Sequence, residues 1–153
     1  MKAMMRRGFK RWLFAMVTIA ASWIAAPNPD LWALFSKTRF VEKLNREYAM
    51  YFLYPAFPDE LRAWEGKEVE LSGFYIPIDV GTSKMVVLSK YPMVECFFCG
   101  GAGPESVAVV YLKEKPGRRL KTDEIVSVKG ILELNEDDVD ELNFIIRDAR
   151  IIP

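Results

Sequence analysis

Apolar and polar residues alternate along the second half of the chain with the period of two that is typical of β-strands burying one face. Clusters of turn-forming residues, among them a Pro-Gly pair and a run of acidic residues, interrupt this alternation. The pattern predicts five strands, which span residues 67–79, 84–91, 106–112, 125–134 and 142–152. We therefore expect a mainly β chain folded as a small five-stranded OB-type Greek-key barrel, with a small β-sandwich as the alternative.

The first predicted strand changes phase at Gly73. Val69 and Leu71 share one face before this glycine, whereas Phe74 and Ile76 occupy the opposite phase after it. A change of phase by one residue at a glycine is typical of a β-bulge, which bends a strand. The sequence therefore predicts a bulge at Gly73.

Residues 27–66 predict a short, mostly helical extension that packs on the barrel formed by residues 67–153. The apolar spacing within Leu31–Phe35 is helical, and Pro58–Glu65 has the composition of a short helix that ends before a glycine. The apolar aromatic run Met50–Tyr54 fits a strand and a helix equally well.

An uncharged apolar segment, Trp12–Ala26, follows a cluster of basic residues at the N-terminus. Such a segment has the length of a signal peptide and is shorter than the roughly 20 residues that cross a bilayer. Residues 1–26 thus predict a signal peptide, with an uncleaved N-terminal membrane anchor as the alternative. Because positive charge precedes the apolar segment, we expect the rest of the chain to be exported to the periplasm or to the extracytoplasmic face of the inner membrane.

Charge and composition narrow the classes of function. The chain has 21 basic and 21 acidic residues, but five of the basic ones precede the apolar segment, which leaves 16 against 21 in the rest. An exported acidic domain is not expected to bind nucleic acid, because single strands require a cationic groove. The chain has no histidine, which excludes Ser-His-Asp catalysis and His-ligated metal sites within one chain.

Both cysteines of the chain lie in one glycine-rich segment between the second and third predicted strands. Cys96 and Cys99 have Cys-x-x-Cys spacing, and Phe97 and Phe98 between them either contact a partner or fill space against the barrel. The residues that follow and shape the loop are Gly100, Gly101, Gly103 and Pro104. Glycine has no Cβ, so such a loop lets its backbone approach a ligand closely.

The residues alone leave three interpretations of the cysteine pair open. In the first, the thiolates bind zinc or another soft metal, and Glu95, Glu105 or a second molecule supplies the remaining ligands. In the second, the pair is a redox dithiol, although a thioredoxin-like pair opens a helix, whereas this one precedes a glycine turn and a strand. In the third, a local disulfide or two buried thiols only hold the loop together.

Several motifs of the chain form a set that resembles a known family. They are Tyr51–Phe57, Glu65–Val69, Gly73–Pro77, Cys96–Ser106, Lys121–Ile125 and Leu142–Phe144. Together they resemble a family of uncharacterised exported proteins from Bacteroidetes-type bacteria, across residues 30–153, and the Cys-Phe-Phe-Cys-Gly-Gly-Ala-Gly-Pro-Glu loop is the most specific of them. This resemblance implies export and a single domain.

A more distant similarity concerns the surroundings of the cysteines. Gly73–Pro77, Val87–Tyr91, Cys96 and Pro104 are similar to the pattern of an uncharacterised secreted or lipoprotein family that is associated with ABC transport systems, some of them linked to zinc supply. Phe98 stands where that family has a histidine. The resemblance implies that Cys99 replaces this histidine as a ligand, which makes the site softer and suited to zinc or Cu(I).

Taken together, the residues and the resemblances predict an exported, non-catalytic binding module. We expect it to hold zinc or another soft metal through Cys96 and Cys99 and to serve a protein partner of the cell envelope, such as a transport system. A thiol–disulfide oxidoreductase and a protein-interaction barrel with a local disulfide are the alternative functions. Contact with a membrane is expected through the N-terminal segment alone, and only if that segment stays uncleaved.

Overall fold

The structure is a computed structural model that describes residues 28–78 and 84–153. The predicted signal segment and the predicted turn at 79–83 lie outside the described residues. The helices and strands are α1 (Leu31–Phe35), β1 (Arg39–Asn45), β2 (Met50–Ala56), α2 (Asp59–Arg62), β3 (Glu68–Ile76), β4 (Met85–Ser89), β5 (Val107–Leu112), β6 (Ile125–Leu134) and β7 (Phe144–Ile152).

Strands β3 to β7 form a closed five-stranded barrel with the order β3-β4-β5-β7-β6. All neighbouring strands are antiparallel except β5 and β7, which run parallel, and β6 closes the barrel against β3. The prediction of a mainly β, OB-type barrel is therefore confirmed, and the five predicted strands appear at the predicted places. The strands could be predicted because apolar and polar residues alternate along them. In β6, for example, every second residue from Val126 to Leu134 is buried.

The predicted bulge at Gly73 is wrong. Strand β3 pairs with β6 in unbroken register from Glu68 to Phe74. The hydrophobic pattern changes phase because burial moves from one face of the strand to the other: Leu71 lies in the barrel core, whereas Ile76 lies in a second apolar cluster outside the barrel. Gly73 is required for space, because a Cβ there would lie 2.8 Å from the carbonyl oxygen of Ser89.

The bulge that the structure does contain lies on β7. Two residues of β7, Asp148 and Ala149, stand opposite the single residue Gly130 of β6. Asp148 has a positive φ of 50°, in the left-handed region where an extra residue is commonly accommodated. A Cβ on Gly130 would lie 2.6 Å from the carbonyl oxygen of Arg147 and 2.9 Å from the Cα of Ala149, so the two backbones approach closely at this point.

The N-terminal extension shares the core of the barrel. Phe35 at the end of α1 is fully buried and stacks on Phe144 of β7, with ring centroids 4.1 Å apart. Phe57 meets the same ring edge-on, and Leu61 of α2 is also fully buried. The residues of these short helices therefore complete the hydrophobic core of the barrel.

The extension also contains a hairpin, of which one strand covers the run Met50–Tyr54 that the sequence left undecided, while the other strand was not predicted. Strands β1 and β2 form a separate antiparallel hairpin, joined by a turn in which Ala49 has a positive φ of 52°. The side chain of Asn45 closes this turn by accepting hydrogen bonds from the backbone N–H groups of Glu47 and Tyr48. The extension is thus only partly helical, since its longest segments are strands.

Gly130→Ala is expected to lower the free energy of unfolding by about 2 kcal/mol, because the new Cβ overlaps backbone atoms of β7 that cannot move without opening the barrel. Gly117→Ala is the matched control, since a Cβ there meets nothing within 4 Å and a change of less than about 0.5 kcal/mol is expected. Chemical denaturation of both variants measures the difference, and equal stabilities would contradict the close approach of β6 and β7.

Candidate binding site at the cysteine loop

The segment 90–106 that joins β4 to β5, here called the cysteine loop, folds over the outside of the barrel. Cys96 is fully buried and packs with Ile76 and Val87 in the second apolar cluster, which Phe74 and Leu142 border. Since Val87 faces away from the barrel core, the loop covers an apolar strip on the outer face of the sheet.

Local backbone hydrogen bonds hold the two cysteines side by side. Cys96 begins a short 3₁₀ turn, Phe97–Cys99, and its carbonyl oxygen accepts from the N–H groups of Cys99 at 3.1 Å and Gly101 at 3.2 Å. Gly100 ends the turn with a φ of 78°, which favours glycine. A Cβ on Gly101 would lie 2.7 Å from the carbonyl oxygen of Glu95, so this second glycine is required for space.

The start of the cysteine loop is tied to the rest of the fold, and its end is held by a hydrogen bond within the loop. At its start, the N–H of Met93 donates to the Asp123 carboxylate at 2.6 Å, and the N–H of Asp123 donates in turn to the carbonyl oxygen of Tyr75. At its end, the buried hydroxyl of Ser106 donates to the carbonyl oxygen of Gly103 at 2.7 Å. The site is therefore positioned by the turn before β6 as well as by β4 and β5.

The two cysteines are free thiols with unequal surroundings. Cys96 is buried and Cys99 is exposed, and the pair is 4.1 Å apart. Partial desolvation, followed by a hydrogen bond with Cys96, raises the pKa of the Cys99 thiol. A raised pKa keeps Cys99 protonated at neutral pH, where a protonated thiol is a poor nucleophile.

The predicted additional metal ligands are not assembled around the cysteines. No group of three or more Cys, Asp or Glu side chains within residues 28–78 and 84–153 is arranged to hold a metal ion. The Glu105 carboxylate instead folds back over Gly103. The chain thus offers two sulfur ligands at this place, whereas a closed structural zinc site has four ligands.

A small apolar groove lies beside the cysteine loop, on the outer face of β4 and β5. Val87, Val109 and Tyr111 form its floor, and Phe98 of the loop and Leu142 of the β6–β7 connection form two of its walls. Its volume is about 150 Å³. A cavity of about this volume accommodates a group the size of benzene, so one apolar side chain of a ligand fits it.

Several apolar residues of the cysteine loop are partly exposed, and one of them, Phe98, lines this groove. Phe98 is 47% exposed and meets the ring of Phe97 edge-on, with centroids 5.4 Å apart. Tyr91, Met93 and Val94 of the same loop also expose a third or more of their surface. Of these residues, Phe98 lines the groove, and the sequence-based hypothesis of a partner contact at Phe97 and Phe98 stays a prediction.

A polar network that the sequence did not reveal forms one edge of the groove. The hydroxyl of Tyr111 donates to Glu141, and the guanidinium of Arg147 donates to Glu141 and to Glu133. Arg147 also lies over the Tyr111 ring, 4.2 Å from its centroid. Burial, followed by the hydrogen bond to Glu141, raises the pKa of Tyr111, and the Arg147 hydrogen bond lowers the pKa of Glu133.

Comparison of the chain with protein-family models, with curated proteins and with solved structures finds no match. The resemblances noted from the sequence therefore stay predictions. Among the described residues, no helix has the length and apolar character needed to cross a membrane.

Replacement of the two cysteines is expected to have unequal effects on stability. Cys96→Ser places a hydroxyl in an apolar cluster and is expected to lower the free energy of unfolding by about 1–3 kcal/mol. Cys99→Ser changes an exposed side chain, and an effect below about 0.5 kcal/mol is expected. Thermal and chemical unfolding of the reduced variants measures both, and equal effects would contradict the burial of Cys96.

Proposed function

We propose that the protein is an exported, non-catalytic binding module whose ligand site is the groove on β4 and β5 together with the cysteine loop. One observation carries this proposal. In OB-type barrels, ligands bind on the face of the second and third strands, between the connections that follow the first and the fourth. The groove occupies that position here, since β4 and β5 form its floor and Ile78 and Leu142 come from those two connections.

The chemistry of the groove supports binding rather than catalysis. Its walls are mostly apolar, and its ionisable lining groups already have partners. Glu141 accepts from Tyr111 and from Arg147, and Asp140 accepts from Tyr48. Such groups orient a ligand but are poorly placed to exchange protons with it. A ligand that inserts an apolar side chain beside Phe98 and contacts this edge with a polar group suits the site.

Within the same proposal, Cys96 and Cys99 hold a soft metal ion such as zinc or Cu(I). Two Zn–S bonds of about 2.3 Å at a tetrahedral angle place their sulfur atoms ~3.8 Å apart, so a small movement lets a pair at 4.1 Å hold one ion. Because the described residues provide no third ligand, the remaining ligands come from water or from the bound molecule. The metal would then link the module to an envelope partner, in line with the expected role in transport or metal handling.

The alternative of a thiol–disulfide oxidoreductase has less support. Redox-active pairs have one exposed cysteine of lowered pKa, whereas desolvation and Cys96 raise the pKa of the exposed Cys99. The alternative of a protein-interaction barrel is favoured by the burial of Cys96, which gives this residue a packing role whether or not a metal binds.

Titration of the reduced protein with zinc and with Cu(I) tests the metal. One equivalent is expected to bind, and Cys99→Ser is expected to weaken binding at least tenfold, since one of two sulfur ligands is lost. Glu95→Gln is the matched control and is expected to bind as the wild type does. Binding should strengthen from pH 6 to pH 8, because the thiols must lose their protons and the pKa of Cys99 is raised.

A stoichiometry near zero, or binding that Cys99→Ser leaves unchanged, would rule out the metal. Equilibration of the metal-free protein in glutathione buffers then separates the two alternatives. In an oxidoreductase, Cys96 and Cys99 are expected to interconvert between dithiol and disulfide within the range of potentials that glutathione buffers cover. A structural disulfide is expected to stay oxidised down to about −300 mV.

A further inference from the structure

The β1–β2 hairpin carries the largest concentration of exposed apolar side chains in the described residues. The described residues include twelve large apolar side chains that are exposed. Six of them lie between Val41 and Leu53, and four others belong to the cysteine loop. Strand β2, Met50–Ala56, has no charged residue. A surface of this kind on a folded domain marks an interaction site.

The register of the hairpin places part of this surface on one face. Leu44 of β1 stands directly opposite Tyr51 of β2, and Leu53 follows Tyr51 on the same face of β2. These three side chains are 52%, 71% and 50% exposed, respectively. We call this set, Leu44, Tyr51 and Leu53, the hairpin patch.

The hairpin is held in place at its base and at its turn. Phe40 packs against the barrel core, and Tyr48 in the turn donates to the Asp140 carboxylate at 3.2 Å. A two-stranded hairpin is marginally stable alone, so these contacts account for its order. They leave the hairpin patch exposed, and within the described residues neither outer edge of the hairpin has a partner strand.

The charge beside the hairpin patch indicates what covers it. Leu53 lines a small cavity whose opposite wall is the acidic β6–β7 connection, including Asp137 and Asp138. The same connection borders a wider cleft of about 540 Å³ lined mainly by carboxylates, of which Glu133, Glu136 and Glu141 are paired with arginines. Asp137 and Asp138 have no cation within salt-bridge distance among the described residues.

We propose that the hairpin patch and the adjacent acidic connection form a docking surface for a protein segment that carries both apolar and basic side chains. The apolar residues of the partner pack on Leu44, Tyr51 and Leu53, while its lysines or arginines meet the carboxylates of Asp137 and Asp138. Complementary charge of this kind selects the partner and speeds association. An anionic bilayer fits less well, because the same carboxylates repel it.

This surface is distinct from the groove of the proposed function. The two surfaces meet at Glu141, which lines both cavities, but Leu142 lines the groove alone, whereas Asp137 and Asp138 line the cavity beside the hairpin and not the groove. The inference therefore does not depend on metal binding at the cysteines, and its test does not involve them.

The test measures binding of the full-length protein to synthetic peptides of known composition. A fluorescent peptide of alternating lysine and leucine is the probe, and peptides of lysine with serine and of glutamate with leucine are its controls. The lysine–leucine peptide is expected to bind, and both controls are expected to bind at least tenfold more weakly. Affinity should fall as salt rises from 0.05 to 0.3 M, because exposed charges are screened.

Variants of the protein locate the surface. The triple substitution Leu44→Ser, Tyr51→Ser, Leu53→Ser is expected to reduce affinity at least tenfold, and Asp137→Asn with Asp138→Asn about threefold or more. Ile125→Ser is the matched control, because Ile125 is a 66% exposed apolar residue elsewhere on the barrel, and its affinity is expected to equal that of the wild type. All variants change exposed positions, so an unchanged unfolding midpoint confirms that each one folds.

Three results would overturn the proposal. In the first, the triple variant binds the lysine–leucine peptide as tightly as the wild type. In the second, the lysine–serine peptide binds equally well, so that the acidic connection acts alone. In the third, vesicles of anionic phospholipid bind the protein through the hairpin patch and the peptide does not, so that the surface is a membrane contact.

Discussion

The closed barrel depends on the close approach of the β6 and β7 backbones at Gly130. No side chain other than hydrogen fits there, because carbonyl and Cα atoms of β7 occupy the space. The extra residue of β7 at this point turns the strand, so that β7 pairs with β6 on one side and with β5 on the other. Closure in turn leaves the outer face of β4 and β5 free to carry a site.

The core and the site are therefore on opposite faces of the same strands. In β4, Val86 and Leu88 point into the barrel core, whereas Val87 between them lies under the cysteine loop. A strand buried on both faces loses the simple alternation of apolar and polar residues. This arrangement lets one short strand stabilise the barrel and also form part of the candidate groove.

The sequence predicted the strands well wherever one face met the core and the other met solvent, as in β6. It failed where burial changed face: the phase change after Gly73 indicates that the cysteine loop covers Phe74 and Ile76, and not that the strand bulges. The true bulge at Asp148 has no such signal. In the hairpin, β2 stayed undecided and β1 was not predicted, because the apolar residues of these strands lie on both faces.

The candidate site was only partly accessible to sequence reasoning. The cysteine spacing and the glycines pointed to the loop, but the groove and its Tyr111–Glu141–Arg147 edge depend on contacts between residues on different strands and connections. Likewise, the placement of Glu105 over Gly103 is a property of the folded loop. Sequence alone could name the sulfur atoms but not the surroundings that determine their chemistry.

The cysteine loop also limits which deletions and substitutions the fold can accept. Cys96 and its neighbours cover an apolar strip of the barrel, so the loop is part of the packing of the domain. It cannot be shortened like an ordinary surface loop without uncovering Ile76 and Val87, which would favour aggregation. Substitutions in the loop are therefore tolerated best at its exposed residues, such as Val94 and Phe98, whereas Cys96 and its packing partners admit little change.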